Sequence, residues 1–358
     1  MPISAADVIH PAFRHTKEQL LRPFRFSQWM RLAVVGLLAG EMGSFGGCNF
    51  NFPSGTRQRG SQQFFGDAFP ARLTHHPALF AGLAVALIVV VFGLLVLFTY
   101  ISSVMRFILF DSIVARACHI RQGWARRKHP GFRFFLWRLL FMLATLAALS
   151  IVIGIPVACA GALGWFAHAR DHVLGLVLGG IILFFVLLVL LVLVGVVSVM
   201  TKDFVVPQMA LEDIAVMEGW RRLWLWIKYE KSGYAGYIGM KIVLAIAATI
   251  TLAIITIIAL LLLLLIMGGV GLVAVLGGKA AGWTWNPYTI ALAVVFGCIA
   301  VAILLFAAAL ISVPAIVFFP AYSIYFFAPR YAQLAALLWP QPIAPIAPDS
   351  SPPEPAPL

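Results

Sequence analysis

The sequence predicts an all-α fold, a polytopic bundle of transmembrane helices with about six spans. The first reason is composition: 62% of the 358 residues are apolar and 11% are charged, whereas soluble domains have about 45–50% and about 25%. A soluble globule cannot hide so much apolar surface, because surface-to-volume scaling limits the fraction that folding buries. The second reason is that the apolar residues form long charge-free segments, with most basic residues between them. We therefore expect an integral membrane protein.

Five charge-free segments locate five of the spans, because a charge at the bilayer centre costs roughly 2.5–3.5 kcal/mol. Each segment is long enough for a helix of about 20 residues, which crosses a hydrocarbon core about 30 Å thick. The last contains several prolines, and a helix over Tyr288–Ser312 fits between two of them. The segments are the 29 residues between His76 and Arg106, 29 between Arg138 and His168, 29 between His172 and Lys202, 37 between Lys241 and Lys279, and 50 between Lys279 and Arg330.

The first span, over Phe26–Gly47, has the weakest pattern. Only nine uncharged residues separate Arg31 from Glu41, so Arg31 has to reach one interface while Glu41 lies near the other. With this segment the chain has six spans. If Leu32–Gly40 only dips into the bilayer, the chain has five.

Lysine and arginine are divided unequally between the two ends of the predicted spans. The N-terminal segment, the loops over residues 102–138 and 201–241, and the tail carry 20 of the 25 basic residues, and the opposite face carries five. Basic residues collect in the cytoplasmic loops of membrane proteins. We therefore expect both termini in the cytoplasm.

Short sequence similarities indicate an internal repeat. Ser103–Met105, Ser198–Met200 and Ser312–Pro314 share a Ser-Val pair and end the second, fourth and sixth spans. A small residue and an aromatic residue open the segment before each hairpin, as in Gly123-Trp124. We expect one membrane domain over residues 1–340, with three units that each combine an amphipathic helix and a transmembrane hairpin, and a proline-rich, disordered tail. The units lie at about 10–111, 119–207 and 215–329, and the tail is 341–358.

Two cytoplasmic segments combine tryptophan with Arg and Lys at helical spacing. In the second, Trp220, Trp224 and Ile227 share one helix face by i, i+4, i+7. This pattern is typical of a helix that lies among lipid headgroups, with its cations near anionic lipid. The alternative is an ordinary aromatic belt with basic loops, which requires no specific ligand. The predicted lipid-contact residues are Trp124, Arg126, Arg127 and Lys128 in the first segment, and Trp220, Arg221, Arg222, Trp224 and Lys228 in the second.

No motif predicts a catalytic residue, a cofactor or a metal. The charge-free segments contain no Asp or His to serve a protease or a proton relay, and no phosphate-binding or haem-attachment motif is present. An acidic group near the fourth span could hold a divalent cation with a lipid phosphate, but local ion pairs such as Glu218 with Arg222 are the favoured interpretation. We expect no enzyme activity and no nucleic-acid partner. The acidic group is Asp203, Glu212, Asp213 and Glu218.

The segment Met209–Trp224 (MALEDIAVMEGWRRLW), preceded by Phe204–Pro207 (FVVP), resembles a signature of uncharacterised bacterial six-span membrane proteins. These proteins are similar to the membrane domain attached to some glycerophosphodiester phosphodiesterases. The resemblance covers nearly the whole chain in hydropathy but only 20 residues in motif. It implies a bacterial inner-membrane location. It transfers no functional residue and no phosphodiesterase activity, because this sequence lacks a soluble catalytic domain.

The favoured function is that of a non-enzymatic inner-membrane protein that contacts anionic lipids or a membrane protein partner through the two tryptophan- and arginine-rich segments. The alternative is a transporter or permease for a lipid or another apolar solute, with broken helices at Ile153–Pro156 and Gly268–Gly271. In either case, small residues are expected where helices approach closely. The candidates are Gly154, Gly161, Gly179 and Gly180.

Overall fold

A computed structural model describes residues 4–41, 77–165, 171–280 and 287–339. These residues form an all-α bundle, as predicted, and no strand occurs among them. The predicted disordered tail lies outside this described part. A π-helical turn, Thr201–Val205, joins α5 to α6, and a 3-10 turn, Ala328–Arg330, follows α9. The helices are α1 (Ile9–Leu21), α2 (Phe26–Ala39), α3 (Pro77–Val114), α4 (Ile120–Ala162), α5 (Val173–Met200), α6 (Val206–Glu212), α7 (Val216–Tyr229), α8 (Lys231–Ala280), α9 (Pro287–Phe327) and α10 (Ala332–Leu338).

Five helices are long and apolar enough to cross a membrane, and each includes most of one of the five charge-free segments. The most hydrophobic stretch of each is almost wholly exposed, with at most 6% of its residues buried inside the protein. Such stretches need an apolar surrounding, because water does not solvate a continuous surface of Leu, Ile and Val favourably. The chain is therefore a membrane-embedded protein.

The predicted first span, Phe26–Gly47, is shorter in the structure. Helix α2 has 14 residues and is about 21 Å long, against a hydrocarbon core of about 30 Å. It ends at Gly40, which has a left-handed backbone with φ of 76°. The Glu41 N–H donates to the Gly36 carbonyl and the Gly40 N–H donates to the Leu37 carbonyl, which is a Schellman motif. In the described part of the chain, five helices rather than six are therefore long enough to span.

The bundle has two unlike ends. At the packed end, α1, α2, α6, α7 and the near halves of the long helices enclose one hydrophobic core. At the apolar end, the far halves of α3, α4, α5, α8 and α9 expose large hydrophobic side chains along their length. Helix α1 packs on the last turns of α9, so the N-terminal helix and the end of the last long helix lie together at the packed end.

The glycines at which two helices approach closely lie at the packed end and are not the predicted ones. A Cβ on Gly36 of α2 would lie 2.5 Å from Ile316 of α9, and one on Gly131 of α4 would lie 2.7 Å from Val104 of α3. Because glycine has no Cβ, the backbones of the paired helices can approach closely at these two positions. The structure does not bear out three of the predicted approach sites, because a Cβ there would meet no atom within 4 Å: Gly154, Gly179 and Gly180.

The long helices are also more continuous than predicted. Helix α4 passes through Pro156, and α8 passes through Gly268–Gly271, so neither predicted break is present. Helix α9 continues beyond Ser312 to Phe327 and includes two prolines. Proline is tolerated in membrane helices because neighbouring groups and small local adjustments satisfy the freed carbonyl. The second predicted unit has its amphipathic segment and its span in one helix, α4. The three-unit repeat itself stays a prediction.

Candidate functional site

Four basic residues from four helical segments lie where the packed end meets the apolar end. We call them the cationic layer, and each is the first charge beyond the charge-free part of its helix. Long basic side chains are suited to this depth, because their stems lie along apolar surface while their charges reach polar groups. The layer consists of Arg106 of α3, Arg138 of α4, Lys202 of the π-helical turn and Lys241 of α8.

Helix α2 ends against this layer. Arg106 Nη1 lies 2.8 Å from Glu41 Oε1 in an ion pair whose side chains are both at least nine-tenths buried. Arg106 Nη2 also donates to the Ala39 carbonyl at 2.9 Å, and Ser102 Oγ donates to the same carbonyl at 3.2 Å. A cation and a hydroxyl thus satisfy the carbonyl at the end of α2, which helix geometry leaves without an intrahelical partner. Arg138 Nη1 donates to Ser102 Oγ at 2.9 Å and extends the network to α4.

The π-helical turn places two oppositely charged neighbours, Lys202 and Asp203, at this level. Pro207 follows four residues after Asp203 and has no N–H to donate to its carbonyl, so a regular α-helix cannot continue through this point without a change. The Asp203 carboxylate accepts from Tyr237 Oη at 2.8 Å and forms an ion pair with Lys241. The turn therefore ties α5 to α8.

Two cavities lie on either side of α5, and both are lined by Arg106 and Lys202. The α4-side cavity, between α3, α4 and α5, has a volume of about 430 Å³ and adds Arg138. The α8-side cavity, between α3, α5, α8 and α9, has a volume of about 380 Å³ and adds Lys241 together with the carboxylates of Glu41 and Asp203. Both volumes fall in the range of about 300–1,000 Å³ typical of small-molecule sites.

The first predicted lipid-contact segment is divided between the core and the surface. Arg127 is buried and binds Asp111 of α3 through two hydrogen bonds of 2.7 Å, and it also donates to the Ala210 carbonyl of α6. It therefore joins three helices inside the protein. Arg126 and Lys128 are exposed on the other side of α4. Trp124 is half-buried and meets Tyr100 edge to face at 6.1 Å.

The second predicted segment is α7, and its buried face differs from the predicted face. Val216, Gly219 and Leu223 are buried, and the half-buried Trp226 packs on Phe327 at 5.3 Å. Trp220 and Ile227 are also half-buried, so they lie beside this face. Trp224 is 55% exposed and is the most exposed residue of the predicted face.

The exposed face of α7 combines bulky apolar groups with cations. Leu225 and Tyr229 are exposed beside Trp224, and Lys228 Nζ lies 6.0 Å from the Trp224 ring centre. Arg221 is exposed and pairs with Glu218 at 2.9 Å. Arg222 is held between Glu212 at 2.5 Å and Glu218 at 3.1 Å, so its charge is satisfied within the protein.

The acidic residues do not form a metal site. Asp203 pairs with Lys241 of the cationic layer. Glu212 and Glu218 pair with Arg222, and Asp213 lies near Arg133. Across residues 4–41, 77–165, 171–280 and 287–339, no group of three or more His, Cys, Asp or Glu side chains is arranged to hold a metal ion.

An ion pair outside the spans fixes the junction of α7 and α8. Glu230 accepts from Arg330 Nε at 2.7 Å and Nη2 at 2.6 Å. These hydrogen bonds lower the pKa of Glu230, so the pair stays charged under mildly acidic conditions. The Arg330 guanidinium also lies 4.0 Å from the Phe326 ring centre. The end of α9 is thereby held against α8.

Comparison with known proteins identifies the chain's relatives at the level of a family. A family of unknown function, DUF7544, matches residues 3–337, which include all helices from α1 to α9. The chain belongs to this family. No curated protein and no solved structure matches the chain. Membership in DUF7544 assigns no activity, and the similarity to membrane domains of glycerophosphodiester phosphodiesterases stays a prediction.

The charges in the sequence predict where the long apolar segments end, but the cationic layer was not predicted from them. The signal was present, because Arg106, Arg138, Lys202 and Lys241 each bound a charge-free segment on the same predicted side. Residues that end parallel or antiparallel spans on one side lie at one depth and therefore come close together. The role of Glu41 depends on the end of α2, which hydropathy does not show.

Proposed function

We propose that this protein is a non-enzymatic, multi-pass protein of the bacterial inner membrane that binds anionic lipids through exposed basic faces at its packed end. The exposed face of α7 carries this proposal. There, Arg221 and Lys228 flank Trp224, with Leu225 and Tyr229 beside them. Apolar rings beside cations suit the boundary between headgroups and acyl chains, where each Lys or Arg near an anionic surface contributes about 1 kcal/mol.

The placement of the helix ends supports a cytoplasmic packed end. Helix α1 packs on α9 there, and the carbonyl of Ala5, which precedes α1, accepts a 3.0 Å hydrogen bond from Tyr322 Oη of α9. Most of the basic residues are at this end, and positive charge collects on the cytoplasmic side of inner-membrane proteins. A membrane protein partner could occupy the same face of α7, so the test uses pure lipids.

The test replaces four exposed basic residues with glutamine: Arg126, Lys128, Arg221 and Lys228. Arg127 and Arg222 are left intact, because their guanidinium groups hold helices together. A matched variant removes the same charge from the opposite predicted face, at Arg57, Arg59, Arg72 and Arg170. Each protein is reconstituted in phosphatidylcholine with a minority of phosphatidylglycerol and extracted into polymer discs, and the extracted lipid is quantified by mass spectrometry.

The wild type and the matched variant are expected to enrich phosphatidylglycerol over its bulk fraction, and the packed-end variant is expected to enrich it less. Raising the salt concentration should weaken the wild-type enrichment, because salt screens exposed charges beyond about 10 Å at 0.1 M. Equal enrichment by the packed-end variant and the wild type would refute the proposal.

A second candidate function is lipid or apolar solute transport, and the α8-side cavity favours it. This cavity lies between four long helices and joins an apolar wall to charged groups. Reconstituted protein would then move a fluorescent lipid between leaflets faster than protein-free liposomes do. An unchanged rate would exclude this activity for the lipid tested.

A further inference from the structure

The α4-side cavity has two chemically different ends. Its basic end contains Arg106, Arg138 and Lys202, and among the described residues that line it there is no carboxylate. Three helical segments contribute these charges. Hydroxyl side chains also line the cavity, and the end away from the charges is apolar. The hydroxyl residues are Thr99, Thr145, Ser198 and Thr201, and the apolar end includes Phe141, Met142, Leu146, Leu149 and Val194.

Two arginines of the basic end, Arg106 and Arg138, have N–H donors available for an anion. Arg138 makes one described hydrogen bond, to Ser102 Oγ, although a guanidinium carries five N–H donors. Arg106 is 6% exposed, and its Nε has no partner in the described part of the chain. A phosphate oxygen is a strong acceptor for such groups. The α8-side cavity is less suited to an anion, because Glu41 and Asp203 line it.

The apolar end of the cavity suits an anion that carries a hydrocarbon chain. The wall continues from the cationic layer to Met142 and Leu146, which are 52% and 59% exposed on the surface of the apolar end. A free phosphate would fill the basic end and leave this wall unoccupied. A phospholipid from the surrounding leaflet would satisfy both ends. Its headgroup lies at the depth of the basic end, and its acyl chains lie at the depth of the apolar end.

We propose that the α4-side cavity binds one anionic glycerophospholipid, with its phosphate between Arg138 and Lys202 and an acyl chain along Phe141, Leu146 and Val194. This site is separate from the exposed faces of α4 and α7. Either proposal can therefore fail without the other.

Two variants test the two ends of the site. Arg138→Gln removes charge from the basic end, and its control is Arg133→Gln, an exposed arginine on the same helix. Thr145→Trp fills the apolar end and leaves every cation in place. Its control is Thr251→Trp on α8, since both threonine hydroxyls donate to the carbonyl four residues earlier, at 2.8 and 2.9 Å. A third control, Arg221→Gln, alters only the exposed face of α7.

Each full-length protein is purified in detergent and incubated with phosphatidylglycerol and phosphatidylcholine of identical acyl chains. After washing, retained lipid is counted by native mass spectrometry. The wild type and the three controls should retain one phosphatidylglycerol per chain. Arg138→Gln and Thr145→Trp should each lower that retention about tenfold, equivalent to about 1.4 kcal/mol. Thr145→Trp keeps the test decisive if Arg138→Gln does not fold.

A competition experiment distinguishes a lipid from a soluble anion. Millimolar glycerol phosphate, which has the phosphate but no acyl chain, should not displace the bound lipid. Displacement by glycerol phosphate would overturn the proposal in favour of a soluble-anion site. Equal retention of phosphatidylcholine, or full retention of phosphatidylglycerol by Thr145→Trp, would also overturn it.

Discussion

His15 is a buried residue that joins three helices. Its Nε2 lies 3.1 Å from the Ile113 carbonyl of α3, and its Nδ1 lies 3.2 Å from Tyr325 Oη of α9. A carbonyl oxygen only accepts, so Nε2 carries the proton and Nδ1 accepts from the tyrosine hydroxyl. This arrangement uses the neutral imidazole. Burial first, and then the positive charge of Arg116, lower the pKa of His15 below its ordinary value of 6.5.

We expect the packed end to lose stability in mild acid because of His15. The unfolded state binds a proton as pH falls below about 6.5, while the folded state still resists it, so protonation favours unfolding. Stability is complete above this pH and falls until the folded-state pKa is passed. His15→Gln keeps hydrogen-bonding groups but does not titrate. Thermal unfolding in detergent at pH 7.5 and 5.5 should show a larger loss for the wild type than for His15→Gln. Equal losses would contradict the assignment.

Adjacent basic residues show what the sequence could predict at this scale. Arg126 and Arg127 are neighbours of the same residue type and belong to one predicted lipid-contact segment. In the structure, Arg126 is exposed and Arg127 is buried against Asp111. The partner comes from a different helix, so only tertiary packing distinguishes the two arginines. Sequence predicted that this segment is basic and helical, but not which of its charges the protein uses internally.

At the scale of helices, the close contact between α3 and α4 depends on Gly131. A Cβ there would lie 2.7 Å from Val104 Cγ2 and 3.1 Å from its Cα, and a backbone atom cannot move aside alone. We expect Gly131→Val to destabilise the protein by about 1–3 kcal/mol, as overpacked cores do. Gly154→Val on the same helix is the matched control, because no atom lies within 4 Å of a Cβ there.

Thermal unfolding followed by fluorescence-detected size exclusion measures both glycine variants. Gly154→Val should unfold near the wild-type temperature, and Gly131→Val should unfold several degrees lower. A wild-type midpoint for Gly131→Val would show that α3 and α4 are less closely packed than this contact requires.

Helix boundaries follow from sequence only where charge determines them. The charges that bound the long segments predicted the spans, because hydropathy changes abruptly there. The predicted end of the first span, Gly47, was wrong. Helix α2 ends earlier because of Gly40 and the two hydrogen bonds that close the Schellman motif. The ion pair between Glu41 and Arg106 then places this end at the cationic layer. Neither feature changes the hydropathy of the segment.

At the scale of the whole molecule, the helix directions relate the two ends to the two sides of the membrane. Helix α2 begins at the packed end, and α3 begins at the apolar end. Helix α2 ends at the cationic layer, and with 14 residues it is too short to span. From the division of Lys and Arg we predict that the packed end is cytoplasmic and that residues 43–76, which include Ser61, lie on the outer side. The proposed lipid faces and the cationic layer then meet the cytoplasmic leaflet.

Cysteine labelling in intact spheroplasts tests this central claim most directly. Single cysteines are placed at Ser4, Ser61, Gln122 and Ser232 in a background without the four native cysteines, and a membrane-impermeant maleimide is added. Ser4, Gln122 and Ser232 are exposed at the packed end, so they should label only after permeabilisation. Ser61 should label in intact spheroplasts. Protection of Ser61 together with Ser4 would contradict the outer location predicted for residues 43–76, and labelling of Gln122 or Ser232 in intact spheroplasts would contradict the cytoplasmic packed end.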